Sequence, residues 1–416
     1  MRLVVQKYGG TSVGSAERIR NVAQRIVETQ REGCRVVAVI SAMAGVTDNL
    51  LKLAGEMSRD PTKRELDILL ATGERAASSL VAMAINAMDA KAVSLSGAEA
   101  GILTDSVHTR ARIANISSKQ IQGLLAEDYI VIVAGFQGQS AEGETTTLGR
   151  GGSDLSAIAL AGALNADACQ IFTDVDGVFT CDPKIVSNAE KLDEVAYDEL
   201  LEMSGAGSKV MQSRAVEFAK KFGVEFEVRS SLTRKIGTVA REETPSMEDV
   251  VIRGVSVDRK QAKITVDDVR DEAGIAGRIF STIARGNIVV DMIVQSVSEH
   301  GTTDVSFTIH ESEVEAARKL LEPLVKEVKA AGLITKSGVA KLSVVGIGMR
   351  SHSGVAARLF ECLGKGGINI QLISTSEIKI AVVVDEKEVD RAAQLTHAEF
   401  GLARLAPTTQ ISRVVG

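Results

Sequence analysis

The chain has 416 residues, of which 45% are hydrophobic, and it carries a formal net charge of −6 at pH 7. This length allows two or three domains with full-sized cores, and the hydrophobic content excludes a largely disordered chain. Because lysine and arginine form no block, we expect no nucleic-acid partner. No uninterrupted apolar run reaches the length of a membrane span, and the N-terminus lacks the layout of a signal peptide. We therefore expect no membrane partner and a cytoplasmic location.

Four cysteines and five histidines are spread along the chain. Their spacing fits neither a metal site nor a redox motif, and the histidines suggest no catalytic triad. We therefore expect reduced thiols and no dedicated metal site.

The first motif is the string Lys7-Tyr8-Gly9-Gly10-Thr11-Ser12. The apolar run Leu3-Val4-Val5 before it predicts a buried strand, and apolar residues from Ile19 to Val27 at three-to-four spacing predict a helix. A lysine and a Gly-Gly turn would then lie at the C-terminal end of a strand, where open α/β sheets bind ligands. Glycine lets backbone N–H groups approach an oxyanion, and the helix end adds positive partial charge, so the motif suits a phosphate. A plain structural turn is the alternative.

A second apolar strand, Val36–Ile40, ends in a loop of small and hydroxyl residues, Ser41–Asp48. Further on, Gly73 and Glu74 lie inside a helical pattern rich in alanine and leucine. A glycine in a helix costs about 1 kcal/mol relative to alanine, which indicates the close approach of a ligand or of backbone. Glu74 fits either a ligand contact or a solvated surface charge.

A third strand, Ile130–Val133, is followed by the string Gly149-Arg150-Gly151-Gly152-Ser153-Asp154, which opens another predicted helix. Arginine can bind a carboxylate through two parallel hydrogen bonds. Asp154 alone could be an N-terminal capping charge, worth about 0.3–1 kcal/mol. The whole string favours a binding loop over a simple cap.

The strand Ala168–Phe172 ends in an acidic loop that contains Asp174-Val175-Asp176-Gly177. This loop is not a calcium site, because its glycine comes too early and the closing glutamate is missing. An acidic loop at the end of a strand suits ribose hydroxyls or a metal-bound nucleotide better. A second lysine, Lys209, follows at the start of a predicted helix.

Five motifs occur together and in order: Lys7–Ser12, Ser41–Met43, Gly149–Asp154, Thr173–Gly177 and Gly207–Lys209. With them the chain resembles the aspartate kinases of the amino-acid kinase family over nearly its full length. The resemblance implies an α/β fold, in which an open, mainly parallel sheet sandwiched by helices is followed by two ferredoxin-like ACT domains. It also implies transfer of the γ-phosphate of ATP, with Mg²⁺, to the β-carboxylate of L-aspartate, the first step of lysine, threonine and methionine biosynthesis.

The resemblance also implies roles for single residues. Lys7 and Lys209 would hold the moving phosphoryl group, Gly9 and Gly10 would supply amides, and Asp154 would orient the lysines. Arg150 would bind the α-carboxylate of aspartate, and Glu74 its α-ammonium group. The other expected substrate-binding residues are Ser41, Thr47, Gly151, Gly152 and Ser153. The other expected ATP-binding residues are Tyr8, Thr173, Asp174, Phe179, Asp182, Lys184 and Val210.

A charged segment with a proline, Arg241–Asp249, predicts a linker, and an internal repeat follows it. Gly274–Phe280 returns as Gly354–Phe360, and Ile293–Ser296 returns as Ile373–Ser376. Each copy follows the order strand, helix, strand, strand, helix, which is a ferredoxin-like layout. The copies resemble ACT domains, the amino-acid-sensing modules that follow the kinase domain in aspartate kinases. Two small domains used only for dimerisation are the alternative.

The predicted domains are a catalytic domain over residues 1–245, a first ACT domain over 250–338 and a second over 339–416. Strand exchange between the repeats would blur the boundary near Lys336–Ala340. By position in the family, an amino-acid effector would bind at the loop after the first strand of each repeat. The expected effector residues of the first copy are Asp271, Gly274, Ala276, Val290, Asp291 and Gln295. Those of the second copy are Ser351, His352, Val355, Asn369, Ile370, Ser376 and Glu377.

The resemblance makes lysine, threonine or both the expected effectors, and it implies a homo-oligomer or hetero-oligomer joined through the ACT domains. The nearest rival is another amino-acid kinase, such as an acetylglutamate or uridylate kinase, but those enzymes do not carry paired ACT repeats. The other rival is a non-catalytic amino-acid sensor with a dead kinase fold. The presence of Lys7, Asp154 and Lys209 argues against that rival.

Overall fold

The computed structural model describes residues 1–207, 210–244, 250–297 and 301–403, and these divide into two compact units. The described residues of the first unit are 1–178, 191–204 and 210–244. Those of the second unit are 179–190, 205–207, 250–297 and 301–403. The segment 179–190, which the sequence analysis placed in the catalytic domain, therefore clusters with the second unit. The predicted domain limits stay a prediction.

The first unit is built on one large sheet and one small one. The strands of the large sheet are β1 (Arg2–Tyr8), β2 (Cys34–Ile40), β3 (Ala92–Leu95), β6 (Ile130–Ala134), β9 (Ala168–Thr173), β10 (Glu194–Ala196), β11 (Phe226–Ser230) and β12 (Thr238–Arg241). Their order is β10-β12-β11-β9-β1-β2-β6-β3, and every pairing is parallel except that of β11 with β12. The small sheet has the order β5-β4-β7-β8, with strands β4 (Ile102–Thr104), β5 (Ile113–Ile116), β7 (Gln137–Ser140) and β8 (Thr145–Thr147). The predicted open, mainly parallel sheet is confirmed.

Helices cover the large sheet of this unit. They are α1 (Ala16–Arg31), α2 (Val46–Met57), α3 (Lys63–Asn86), α4 (Lys119–Ala126), α5 (Gly152–Ala163), α6 (Tyr197–Gly205) and α7 (Ser213–Phe222). The apolar stripe of α1 packs with Val81 and Ile85 of α3 in one buried cluster over β1 and β2. Helix α5 packs on β1, β2 and β9, and α7 packs against α5. The three-to-four spacing in the sequence thus becomes the core-facing stripe of α1.

Helix α3 is the one described helix that is long and apolar enough to span a membrane by length and composition. Its apolar residues form no uninterrupted run of that length, because Glu74 and Arg75 stand in the middle of the helix. Half of its most apolar window is buried inside the fold, with Ala77, Val81 and Ile85 in the core cluster over β1 and β2. Such burial is what a core helix shows.

The second unit contains both copies of the repeat. Its strands are β13 (Gly254–Arg270), β14 (Ile293–Val297), β15 (Thr302–His310), β16 (Gly332–Val345), β17 (Leu372–Thr375) and β18 (Lys379–Asp385). Its helices are α8 (Ile275–Arg285), α9 (Val314–Glu327), α10 (Val355–Lys365) and α11 (Val389–Glu399). Equivalent apolar positions of the repeat are buried, with Ile279 and Ile283 of α8 in one cluster and Leu359 and Leu363 of α10 in another. The predicted ferredoxin-like order is confirmed for the described residues.

The two copies share their central strands. All six strands form one sheet in the order β14-β15-β13-β16-β18-β17. The first part of β13, Gly254–Asp258, pairs with Lys341–Val345 in the second copy, whereas Lys263–Asp267 pairs with Gly332–Lys336. The segment 254–258 precedes the first copy in sequence but extends the sheet of the second. The repeats therefore exchange strands, which sequence alone left open.

Candidate active site

The C-terminal edge of the large sheet gathers the loops that carry the predicted motifs. Neighbouring parallel strands end side by side there, and their loops are joined by backbone hydrogen bonds. The Ser41 N–H donates to the Tyr8 carbonyl at 3.1 Å, and the Gly135 N–H donates to the Ile40 carbonyl at 3.0 Å. The Ser231 N–H donates to the Thr173 carbonyl at 2.8 Å. The ends of five strands that are far apart in sequence thus form one edge.

A buried ion pair lies at this edge. The Lys7 Nζ is 2.6 Å from the Asp154 Oδ1, and each side chain is 11% exposed. Lys7 is the last residue but one of β1, and Asp154 lies in the first turn of α5. Asp154 is therefore more than a helix cap, because its carboxylate holds a lysine from another element. A cation with so little water around it acts strongly on any anion placed beside it.

Close packing requires the second of the two glycines after Lys7, and the first lies beside the ammonium group of Lys7. A Cβ at Gly10 would lie 2.7 Å from the Ala42 carbonyl oxygen, and one at Gly9 would lie 3.4 Å from the Lys7 Nζ. The Gly9 N–H donates to the Phe172 carbonyl at 3.3 Å, and its predicted contact with a phosphate stays a prediction. A short 3₁₀ helix, Gly10–Val13, begins at the next residue, and the first N–H groups of a helix have no acceptor within it.

Glu74 is buried against the loop after β2. The side chain is 4% exposed, and its Oε1 accepts a hydrogen bond from the Ala42 N–H at 3.2 Å. Its Oε2 is buried and has no hydrogen-bond partner among the described residues. Burial raises the pKa of Glu74 to about 7. The interpretation of Glu74 as a solvated surface charge is therefore wrong.

A close contact explains the glycine that precedes Glu74. A Cβ at Gly73 would lie 3.0 Å from the Ala42 Cβ, so helix α3 approaches the loop after β2 closely. Two other expected substrate-binding residues flank this contact. Ser41 is half-buried at the end of β2, and Thr47 is half-buried in the first turn of α2.

The loop that carries Arg150 connects β8 to α5. Arg150 is exposed and forms no ion pair with any described residue. Gly151 has a φ of +70°, and a Cβ there would lie 1.9 Å from the Gln212 Cγ. A Cβ at Gly152 would lie 2.9 Å from the Leu148 Cβ, and a Cβ at Gly135 would lie 2.8 Å from the Ser153 Oγ. Both glycines of the loop and Ser153 are thus held by packing, while the Arg150 side chain points into solvent.

Two hydroxyl groups that were not among the predicted site residues lie between the loop after β1 and the end of β9. The Ser12 Oγ donates to the Ser231 Oγ at 2.7 Å, and that hydroxyl donates to the Thr173 carbonyl at 3.1 Å. Ser12 belongs to the first motif, whereas Ser231 directly follows strand β11. A serine pair directly after a strand, at the same sheet edge, is the signal that could have found Ser231.

The other residues predicted to bind ATP differ in how far they are exposed at this edge. Thr173 ends β9 half-buried, and Asp174 is exposed beside it. The Tyr8 ring is fully buried and stacks on Phe172 with ring centroids 4.7 Å apart. The predicted part of Tyr8 in ATP binding stays a prediction, and the backbone of Tyr8 at the end of β1 lies at this edge. Val210 is half-buried before α7, and Lys209 lies outside the described residues.

Three predicted ATP-binding residues, Phe179, Asp182 and Lys184, lie in the segment 179–190 of the second unit. The Thr180 carbonyl accepts from the Val255 N–H at 2.7 Å. The buried side chains of Cys181 and Val186 join the core cluster that contains α10. Asp182 and Lys184 are exposed, and the Lys184 N–H donates to the Asp182 Oδ1 at 2.9 Å. Their role in nucleotide binding stays a prediction.

The predicted effector residues of the first repeat lie around the start of α8 and the strand β14. Gly274 caps α8 with a φ of +94°, and Ala276 is half-buried in the first turn of that helix. Asp291, before β14, forms an ion pair with Lys341, whose side chain is 3% exposed. The other three predicted residues in this repeat are Asp271 and Gln295, both exposed, and Val290, which is half-buried.

The second repeat presents its predicted effector residues at equivalent places. Gly354 caps α10 with a φ of +88°, as Gly274 caps α8. The Glu377 carboxylate lies 3.7 Å from Arg350, which joins the loop after β17 to the loop after β16. Val355 is buried and Ile370 half-buried, while Ser351, His352, Asn369 and Ser376 are exposed.

The chain matches two known families. Residues 2–230 match the amino acid kinase family, and residues 264–323 and 342–400 match the ACT domain. The sheet, the lysine-carboxylate pair and the paired repeats thus define an amino acid kinase followed by ACT domains.

Individual relatives narrow this class. An aspartate kinase of Pseudomonas fluorescens (strain SBW25) is 49% identical over 405 residues, which are 97% of this chain and 98% of the relative. The crystal structure of E. coli aspartokinase III with aspartate and ADP in the R-state is 26% identical, with a TM-score of 0.79 over 96% of this chain and 99% of that one. The same enzyme with lysine and aspartate in the T-state is 26% identical, with a TM-score of 0.77 over the same shares. The chain belongs to the aspartate kinases.

Proposed function

We propose that this chain transfers the γ-phosphoryl group of ATP to the β-carboxylate of L-aspartate and so forms 4-phospho-L-aspartate and ADP. The observation that carries the proposal is the buried pair of Lys7 and Asp154 beside the Gly9-Gly10 turn. A cation at the end of a parallel strand, with free N–H groups next to it, suits a phosphoryl group in transfer. The E. coli relative with aspartate and ADP bound supports these substrates.

The reaction needs positioning and charge neutralisation more than acid–base chemistry. The β-carboxylate of aspartate is ionised at pH 7 and is itself the nucleophile, so no residue has to remove a proton. An oxygen of that carboxylate forms the new P–O bond while the bond from the γ-phosphorus to the β,γ-bridging oxygen breaks, and ADP leaves with the electron pair. Lys7 neutralises the charge on the moving group, and Asp154 keeps the ammonium group in place.

Mg²⁺ is expected to enter with ATP. This ion usually keeps several of its waters and is bound through substrate phosphates together with one or two carboxylates. When bound, it would neutralise charge on the phosphate oxygens. Thr173 and Asp174, at the end of β9, lie on the edge proposed for the nucleotide. Lys209 would add a second cation, as the family resemblance implies.

Two charged groups are proposed to bind the amino-acid end of aspartate. Arg150 would hold the α-carboxylate through two parallel hydrogen bonds, for which its free, exposed side chain is available. Glu74 would accept the α-ammonium group, because its Oε2 is buried without a partner. Burial raises the pKa of the Glu74 carboxyl group. A bound ammonium group would lower that pKa again, because a nearby positive charge stabilises the ionised carboxylate. Ser41, Thr47 and Ser153 would line the same pocket.

Feedback control is proposed for the second unit. The E. coli relative was crystallised with lysine in the T-state, which supports lysine as an effector here. Threonine is kept as an alternative or additional effector, and assembly through the ACT repeats is proposed with it. The domain limits 1–245, 250–338 and 339–416, and a cytoplasmic location, belong to the same proposal.

The assignment can be tested with a substrate panel. The chain would be incubated with MgATP, hydroxylamine and either aspartate, glutamate or acetylglutamate, because hydroxylamine converts acyl phosphates to hydroxamates that can be measured. We expect a hydroxamate from aspartate only. A hydroxamate from acetylglutamate would indicate another amino-acid kinase, and none from any of the three would indicate a non-catalytic sensor.

A further inference from the structure

The loop from Leu148 to Gly151, between β8 and α5, contains no helix or strand, yet it carries Arg150. Gly149 and Gly151 both have positive φ values, +79° and +70°. Such a backbone is intrinsically flexible, because glycine can adopt many conformations. The Arg150 side chain is exposed and cannot hold the loop in place. Whatever fixes this backbone therefore also fixes where Arg150 can present its guanidinium group.

A side chain from another element bridges the start of this loop. Arg214, in the first turn of α7, donates from Nη1 to the Leu148 carbonyl at 2.6 Å and from Nη2 to the Ala111 carbonyl at 2.7 Å. The Ala111 N–H in turn donates to the Thr147 carbonyl at 2.9 Å. One guanidinium group thus ties together α7, the segment around Ala111 and the residue two before Arg150.

The same stretch before α7 also covers the middle of the loop. The Gln212 side chain lies directly on Gly151, where an added Cβ would come within 1.9 Å of its Cγ. Contacts at Leu148 and Gly151 bracket Arg150 on both sides. The residues 212–214 therefore act on the loop at two points.

A buried carboxylate, Asp67, also binds residues shortly before Leu148 and Ala111. Asp67 of α3 is fully buried, and it accepts a hydrogen bond from the Thr147 Oγ1 at 2.5 Å and one from the Thr109 N–H at 3.0 Å. Asp67 and Glu74 are seven residues apart on α3, and both are buried. Helix α3 thus carries one anchor of the loop and the residue proposed for the substrate's ammonium group. Asp67 holds the end of β8 at Thr147, and Arg214 holds the next residue, Leu148, at the start of the loop.

We propose that Arg214 is a positioning residue that sets the affinity for aspartate by holding the loop so that Arg150 faces the substrate. The inference rests on the proposed role of Arg150. We place Arg214 on the loop and not on the substrate, because each of its terminal nitrogens donates to a backbone carbonyl. Its effect should therefore appear in the aspartate requirement and act through Arg150.

The test compares Arg214→Met, Arg214→Lys and Arg150→Ala with the wild-type full-length chain. Arg112→Met is the matched control, because Arg112 is an exposed arginine next to Ala111 and is not part of the clamp. We expect Arg214→Met to raise the KM for aspartate about tenfold, with the KM for ATP and kcat within twofold, since the lost contacts are those that place a carboxylate-binding group. The KM for aspartate of Arg214→Lys should lie between those of the wild type and Arg214→Met, because one ammonium group cannot bind both carbonyls as well as a guanidinium group does. Arg112→Met should match the wild type.

The double variant Arg150→Ala/Arg214→Met separates positioning from a general structural role. If Arg214 acts through Arg150, adding Arg214→Met to Arg150→Ala should raise the KM for aspartate less than twofold further. An unchanged KM for aspartate in Arg214→Met, or equal increases for aspartate and ATP, would overturn the inference. If Arg214→Met does not fold, the same comparison with Arg214→Lys decides. An Arg150→Ala variant with wild-type KM for aspartate would instead overturn the proposed role of Arg150.

Discussion

Each unit of the molecule buries a lysine against carboxylates, and the two sites differ in where the lysine lies on its sheet. Lys7 is near the end of a strand, is 11% exposed, and pairs with Asp154 of a neighbouring helix at 2.6 Å. Lys341 is inside β16, is 3% exposed, and lies between Asp291 and the cross-strand residue Asp258, the latter at 3.7 Å. Lys7 opens toward a glycine turn, whereas Lys341 is enclosed by its own sheet.

This difference separates a lysine available to a ligand from one that stabilises the fold. A buried ion pair costs desolvation energy that its attraction repays only in good geometry, so its presence alone says little about function. What distinguishes Lys7 is its place at a parallel-sheet edge next to the Gly9-Gly10 turn, where the missing side chain of Gly9 leaves room beside the ammonium group. Lys341 bridges the two repeats, because Asp291 belongs to the first and Lys341 to the second.

The largest effect is expected at Lys7. Lys7→Ala should lower kcat about 10³-fold or more, while the KM for aspartate changes little, because the lysine's charge matters most when the phosphoryl group moves. The measurement is a steady-state assay of ADP release, with the exposed Lys52→Ala as control. Lys209→Ala is expected to behave like Lys7→Ala. A near-normal kcat in Lys7→Ala would contradict the account in which Lys7 serves catalysis and Lys341 serves stability.

Arg150 should show the opposite kinetic pattern to Lys7. Arg150→Ala removes a bidentate contact to the α-carboxylate, so the KM for aspartate should rise about 10- to 100-fold with kcat changed much less. Saturation curves for aspartate and for ATP measure the two requirements separately. If only the KM for ATP rose, Arg150 would belong to the nucleotide site.

Lys341 should matter for stability and not for turnover. Lys341→Met leaves Asp258 and Asp291 without their cation, which should lower the free energy of unfolding by about 2 kcal/mol, a reduced figure because both carboxylates are partly exposed. Thermal or urea denaturation measures it, with Lys336→Met, an exposed lysine of the same strand, as control. Loss of kcat without loss of stability would contradict this assignment.

Ala276 tests whether the second unit regulates the first. Ala276→Val enlarges a half-buried residue in the first turn of α8 and should raise the lysine concentration needed for half inhibition about tenfold, within the usual range of allosteric coupling. Ser376→Phe should act in the same direction. Activity without lysine should stay as in the wild type. A wild-type enzyme insensitive to lysine and threonine, alone and together, would mean that the repeats are structural.

The smallest effect is expected in the pH dependence of aspartate binding. The Glu74 carboxyl group must be ionised to accept an ammonium group, and burial raises its pKa to about 7. Lowering the pH from 8 to 6 decreases the ionised fraction of Glu74 about tenfold, so the KM for aspartate should rise by at most about tenfold. Glu74→Gln, which keeps an oxygen for the Ala42 N–H, should have a higher KM that no longer changes over this range. A wild-type KM that is flat from pH 6 to 8 would contradict the role of Glu74.

Much of the catalytic edge could be predicted because it depends on local patterns. The motif around Lys7 follows an apolar run, and the Gly149–Asp154 string opens a helix, so both were expected at the same sheet edge. The burial of Glu74 could not be predicted, because a helical pattern of alanines does not say which face meets the loop after β2. The close contact of Gly73 with Ala42 determines which face of α3 is buried against that loop. The two residues are far apart in sequence, so no local pattern shows this contact.

The sequence was less informative where long-range pairing decides. The segment Gly254–Asp258 reads as the start of the first repeat but pairs with Lys341–Val345 of the second. Likewise, residues 179–190 continue the acidic loop after β9 yet cluster with the second unit. In both cases a short segment has enough apolar residues to pack in either place, and nothing in its local pattern selects one.

The identity of the product tests the central proposal most directly. Enzyme, MgATP and aspartate would be mixed and the acyl phosphate reduced at once with borohydride, which converts it to an alcohol at the carbon that carried the phosphate. Amino-acid analysis then distinguishes the two carboxylates. Transfer to the β-carboxylate predicts homoserine as the reduction product, formed in the same amount as ADP. Formation of 3-amino-4-hydroxybutanoate, or ADP release without any amino alcohol, would contradict the account.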